Sequence, residues 1–156
     1  MSMMGYLKLK IPPLLVVVLF AGLMWLVSIS FRLYSFSLPY NLVIVSSFWL
    51  VALVITLVSA ISFKSAKTTV NPTQPNNTSA LVTSGIYRIT RNPMYLSFSL
   101  ILLGWGFYLC AVGPLLLVPL FIAYINYFQI IPEENALSKI FGQHYNHYKK
   151  NVRRWL

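Results

Sequence analysis

The stretch NPMYLSFSLILLGWGFYLCAVGPLLLVPLFIAYINYFQIIP, residues 92–132, runs for 41 residues without a charged side chain. A helix rising 1.5 Å per residue crosses the hydrocarbon core of a bilayer in about 20 residues. The stretch is therefore about twice as long as one crossing. Gly113-Pro114 interrupts it near the middle, which predicts a tight helical hairpin with arms over roughly 93–111 and 114–131. The two free ends of such a hairpin lie on the same side of a membrane. Charge returns immediately beyond both: Arg91 precedes the stretch, and Glu133-Glu134 follow it.

Outward from the hairpin, two more apolar stretches precede it. Residues 11–31 end at Arg32, and residues 40–63 end at Lys64. Pro12 and Pro13 stand where the first helix begins, a position at which a missing N–H costs nothing. Lys8 and Lys10 before an apolar run resemble a signal peptide, but the run is long and has no small-residue cleavage site, so it is expected to stay as a membrane helix. The segment TTVNPTQPNNTS, residues 68–79, is polar and irregular and reads as a loop. Of 156 residues, 58% are hydrophobic and 9% charged, against about 25% charged in soluble domains. The expectation is an all-α, integral membrane helical bundle in one domain, residues 1–156. It has four transmembrane helices, a C-terminal hairpin and an amphipathic cytoplasmic tail helix over 133–156, with Gly142 able to bend the tail.

The net charge of +10 would point to nucleic acid in a soluble chain. With four crossings, however, eleven of the twelve basic residues fall on one face, leaving only Arg32 opposite. Positive charge gathers on the cytoplasmic side, so both termini are expected in the cytoplasm at an inner or plasma membrane. Topology and attraction to anionic lipid account for the charge without a nucleic-acid partner. No ionisable residue falls mid-span, which disfavours a proton relay or ion path. The single cysteine, Cys110, supports neither a disulfide framework nor a thiolate metal site. The oligomeric state stays open.

Glu133 and Glu134 are the only carboxylate side chains. They could serve the positive end of a helix starting after Pro132. Hairpin geometry adds a second role, because it brings them to Arg91-Asn92-Pro93. There Pro93 opens a helix whose free N–H groups, beside Arg91, can hold a carboxylate. The acids suit a cation or a pair of hydroxyls. S-adenosylmethionine carries a carboxylate, an ammonium, a sulfonium and a ribose, and it matches both clusters.

GIYRITRNPMYL at 85–96, GWG at 104–106, PEENAL at 132–137 and FGQHYNHYKKNVRRW at 141–155 together resemble the isoprenylcysteine carboxyl methyltransferase family and the related membrane phospholipid N-methyltransferases. The resemblance spans roughly residues 65–156, with TTVNP at 68–72 fitting prokaryotic members. Asn92 stands where many relatives have His. The resemblance implies a membrane enzyme that binds S-adenosylmethionine at the cytosolic surface and methylates a lipophilic acceptor entering from the bilayer, most simply a carboxylate. By motif, Tyr87, Arg91, Asn92, Pro93, Tyr95 and Leu96 would line one side of the cofactor. Gly104 and Gly106 would allow close approach of a helix or the cofactor. Glu133 and Glu134 would complete the site, with Glu134 the more cofactor-directed, and His144, Tyr145 and Tyr148 would close it from the tail. Arg91, Glu134 and Arg153 are the catalytic candidates, Arg153 or Arg154 orienting the acceptor's carboxylate. His144 and His147 lack the further ligands a metal needs.

Two other functions compete. One is an NADPH-dependent membrane reductase on a related scaffold, against which two acids at the mouth would repel a 2′-phosphate. The other is a non-enzymatic small membrane protein or transporter, in which the two motif clusters would have no reason to meet.

Overall fold

A computed structural model describes residues 11–30, 35–66 and 81–156. Lys8, Lys10, Arg32, Lys67 and the 68–79 loop lie outside the described residues. The chain forms helices α1 (Pro13–Ser30), α2 (Asn41–Ser65), α3 (Pro93–Tyr108), α4 (Val112–Ile125), α5 (Ile131–Phe141) and α6 (Gln143–Asn151). A 3₁₀ turn, Gly85–Arg88, precedes α3, and a π turn, Asn126–Ile130, joins α4 to α5. Among the described residues, β pairing is limited to single-residue bridges, Ser35 with Ala111 and Thr90 with Arg153.

Among the described residues, three helices are long and apolar enough to cross a membrane: Pro13–Ser30, Asn41–Ser65 and the continuous Val112–Phe141 of 30 residues. α3 is also apolar but has 16 residues, about 24 Å against a core of about 30 Å. The helices α1 to α4 alternate in direction. The Ser35–Ala111 bridge, with Phe36 N–H donating to the Cys110 carbonyl at 2.9 Å, joins the start of α2 to the α3–α4 turn. At the other end, Gln129 Nε2 donates to the Ile11 carbonyl at 2.8 Å, placing the start of α1 beside the π turn. The outer faces of α1 and α2 carry exposed Leu15, Val18, Leu19, Leu50, Leu53, Leu57 and Ile61, a surface that suits lipid rather than water.

α3 sits at the centre. Its Leu102 and Tyr95 join Val16, Val17 and Met24 of α1 and Val118, Phe121 and Ile125 of α4 in one buried cluster. Its other face meets α2 through small and hydroxyl residues. Ser59 and Ser97 are fully buried, and Thr56 donates to Ser97 Oγ at 3.0 Å. Small side chains let helix backbones approach where lipid offers no hydrophobic drive. Gly104 is the tightest point, since a Cβ there would lie 2.7 Å from Trp49 Nε1 and 3.2 Å from Phe48 Cβ. Gly104→Val is therefore expected to cost about 2 kcal/mol of stability by overpacking, read as a lower unfolding midpoint in detergent. An unchanged midpoint would show that α2 and α3 can part freely.

The structure differs from the sequence reading in three places. The hairpin turns at Cys110, which takes a left-handed φ of 49°, not at Gly113-Pro114. Those two residues lie in the first turn of α4, where proline's lack of an N–H is harmless. Pro132 does not end the helix. The π turn immediately before it widens the register, so the carbonyl that a proline ring would strike in a regular α-helix is displaced and the rod continues. The tail is two helices instead of one. Gly142, at φ 53° and ψ −121°, turns α6 back toward α3, a conformation a side chain would oppose.

Candidate active site at the membrane-proximal end of the hairpin

Glu133 and Glu134 fall about 20 residues beyond the start of α4, hence about 30 Å along the rod. The rod delivers them beside the start of α3, and the two carboxylates go to different surroundings.

Glu134 is 4% exposed and gathers three cations. Arg154 grips it bidentately, with Nε to Oε1 at 3.1 Å and Nη2 to Oε2 at 2.8 Å. Arg91 Nη1 lies 3.2 Å from Oε1, and Lys149 Nζ lies 3.5 Å from Oε2. The fork of a guanidinium matches a carboxylate in a way an ammonium cannot. The hydrogen bond to Glu134 in turn raises the Arg154 pKa above its ordinary value. Glu133 has a different partner: the Tyr95 hydroxyl donates to its Oε2 at 3.0 Å, and no ion pair to it occurs among the described residues.

The segment after α6 locks this arrangement. Arg91 N–H donates to the Arg153 carbonyl at 3.0 Å, beside the Thr90–Arg153 bridge. Asn92 Nδ2 and Thr90 Oγ1 donate to the Arg154 carbonyl at 3.0 and 3.2 Å. Trp155 Nε1 reaches Asn126 Oδ1 in the π turn at 3.2 Å. In this extended strap, neighbouring side chains point to opposite sides. Arg154 faces Glu134 and Arg153 faces solvent, so the arginine that meets the acid is Arg154, not Arg153. Arg154→Lys is expected to lower stability by about 1 kcal/mol through loss of the bidentate bond, while Arg153→Ala changes it by less than about 0.5 kcal/mol. Denaturation midpoints of the two variants in detergent check the difference, and equal midpoints would contradict the strap geometry.

Arg91 is nearly enclosed, its side chain 8% exposed. Among the described residues its Nε has no partner, and its Nη1, though close to Glu134, makes no aligned hydrogen bond. No side chain caps the first turn of α3. Three tyrosines wall the space. Tyr148 OH donates to the Tyr87 carbonyl at 2.6 Å. The Tyr145 phenol is pushed up to about 12, by burial first and by the Glu134 charge second. Burial also raises Tyr148 and Tyr87. All three are neutral hydroxyls at physiological pH.

Of the residues singled out by sequence, Tyr87, Arg91, Asn92, Pro93, Tyr95, Glu133, Glu134, Tyr145 and Tyr148 come together here, with Leu96 on the first turn of α3. Three do not. His144 is exposed. Gly104 and Gly106 lie more than two turns along α3 and serve helix packing; a Cβ at Gly106 would meet Leu115 Cδ2 at 2.6 Å. His147 sits 2.9 Å from Asn151 Nδ2 on the exposed side of α6. Asn126 and Gln129 were not legible as site neighbours, because only the π turn aims them inward; amides in the otherwise apolar run 114–131 were the available signal.

Residues 40–144 match the phospholipid methyltransferase family. The chain belongs to that family. Phospholipid methyltransferases of this kind are membrane enzymes, and the three long apolar helices agree with that setting. The chain is also 51% identical over 63 residues to an uncharacterised protein of Haemophilus influenzae, a match covering 40% of this chain and all of the relative. No solved structure matches it.

Proposed function

We propose that this phospholipid methyltransferase family member transfers a methyl group from S-adenosylmethionine to a lipophilic acceptor held in the bilayer. In the same proposal the chain is one domain with four crossings, α3 being the shortest, and with the site and both termini on the cytoplasmic side. The observation that carries the reading is the separation of charges around α3. Among the described residues, the enclosed Arg91 side chain has no partner for its Nε, and no side chain caps the helix start beside it. Glu133, one residue from the ion-paired Glu134, has the Tyr95 hydroxyl as its partner and no counter-ion among the described residues.

That donor set fits the cofactor. Arg91 and the first turn of α3 would hold its carboxylate, and Glu133, positioned by Tyr95, would hold its ammonium or ribose hydroxyls. Tyr87, Tyr145 and Tyr148 would exclude water as neutral walls. When bound, S-adenosylmethionine supplies an electrophilic methyl, which the acceptor's lone pair takes while the sulfur–methyl bonding pair stays on sulfur as a neutral thioether. The residues around it have only to align and to keep the site dry. The carboxylate acceptor implied by the isoprenylcysteine-like motifs needs no base, whereas an alcohol would pass its proton to a carboxylate such as Glu133. Membranes containing the protein, incubated with methyl-labelled S-adenosylmethionine, should place label in the lipid fraction. Calorimetry on detergent-purified protein should show binding of S-adenosylmethionine and none of NADPH. Absence of cofactor binding would remove the proposal.

A further inference from the structure

Gln129 stands four residues before Glu133 on the same rod, on the bilayer side of that carboxylate, and its side chain is fully buried. Its Nε2 donates to the Ile11 carbonyl at 2.8 Å, and its Oε1 has no partner among the described residues. The orientation is chemically forced: a carbonyl only accepts, so the NH₂ end must face Ile11 and the oxygen is left over. The fastening of α1 uses only the NH₂ end of the amide. The same helix is fastened higher up by Trp105, whose Nε1 donates to the Ala21 carbonyl at 3.0 Å; indole nitrogen is donor-only and leaves no acceptor behind. Gln129 also belongs to the π turn, a distortion that recurs at functional sites because it re-aims side chains.

We infer that Gln129 Oε1 is a specificity-determining contact for the methyl acceptor, taking a hydrogen bond from an N–H or O–H on its polar head. The inference rests on the methyltransferase reading above and narrows its acceptor. In this inference the head that reaches Glu133 is read by this oxygen, four residues earlier on the rod. An amine or an alcohol brings the hydrogen that satisfies it, whereas a carboxylate brings only lone pairs and is turned away. An enclosed acceptor with no donor is costly to bury, so the match or mismatch is felt directly in binding.

The test uses the full chain reconstituted in vesicles, with hexadecylamine, hexadecanol and hexadecanoate as acceptor probes and methyl-labelled cofactor. Wild type should favour the amine or the alcohol over the carboxylate by about tenfold or more in kcat/KM. Gln129→Met should raise KM for the donor-bearing probe about tenfold and flatten the preference, with cofactor Kd unchanged by calorimetry. Gln129→Glu keeps an acceptor oxygen in either protonation state and should retain the preference, although it changes the link to Ile11. The inference is overturned if wild type prefers hexadecanoate, or if Gln129→Met keeps the wild-type preference. It is overturned equally if both variants lose thermal stability and cofactor binding together, which would make Gln129 a fastening only. Failure of wild type to bind S-adenosylmethionine would instead remove the methyltransferase proposal itself, a separate outcome.

Discussion

Replacing Glu134 with alanine is expected to lower the unfolding free energy by about 3 kcal/mol, because it leaves buried cationic groups without their counter-charge. The carboxylate is almost completely enclosed and serves Arg91, Arg154 and Lys149 at once. The three are not equal. Lys149 is 42% exposed along its side chain and Arg154 34%, so both can turn to water, and the Lys149 contact is weak by that fact. Arg91, at 8%, has nowhere to go. Most of the loss therefore comes from stranding Arg91, and a double replacement, Arg91→Leu with Glu134→Leu, should cost less than the sum of its parts. Chemical denaturation in detergent micelles measures all four corners of that cycle. An alanine variant within about 0.5 kcal/mol of wild type would show that the cations are solvated in the native state and that the cluster holds nothing together.

This role for Glu134 was only half legible in the sequence. That an acid after Pro132 would meet Arg91 followed from arithmetic: 41 uncharged residues make two helices, and two helices return to where they began. The helical character of the apolar stretches was legible for the same reason, since in lipid the backbone has no other way to satisfy itself. The division of labour between the two glutamates was not. It depends on the strap after α6, whose extended geometry sends Arg154 inward and Arg153 outward, and a one-residue shift would reverse them. RRW carries no signal of that register until Thr90 and Asn92 are seen to hold its carbonyls.

Glycine and proline were read by their usual meanings, and at three positions the packing selected another. Gly113 and Pro114 signalled a turn, but the chain turns at Cys110 in a left-handed conformation that cysteine rarely takes. Pro132 signalled a stop, but the π turn absorbs it. Gly104 was read as a place of close approach for a helix or the cofactor, and Trp49 of α2 sits there. Each case has the same physical cause. A local signal states what the backbone permits, and the neighbouring helix decides which permission is used.

Glu133 should respond in the opposite way to Glu134. Glu133→Gln keeps the shape and an oxygen for the Tyr95 hydroxyl, so the unfolding midpoint should stay close to wild type. It removes the negative charge that would face the cofactor's ammonium or ribose. A charged hydrogen bond of this kind is worth about 2 kcal/mol, so the dissociation constant for S-adenosylmethionine should rise roughly 30-fold. Turnover at saturating cofactor should fall much less, provided Glu133 only binds. If an alcohol or ammonium acceptor must also lose a proton to this carboxylate, turnover falls as well, typically by a further 100-fold or more, and the two parameters separate the roles. Tyr95→Phe supplies the control: it leaves the charge but frees it to move, so affinity should weaken by a few-fold only. Calorimetry and steady-state rates on the same preparations decide the matter. A Glu133→Gln protein that binds S-adenosylmethionine as tightly as wild type would place the cofactor's cationic end elsewhere, and the unpaired carboxylate beside Tyr95 would then need another explanation.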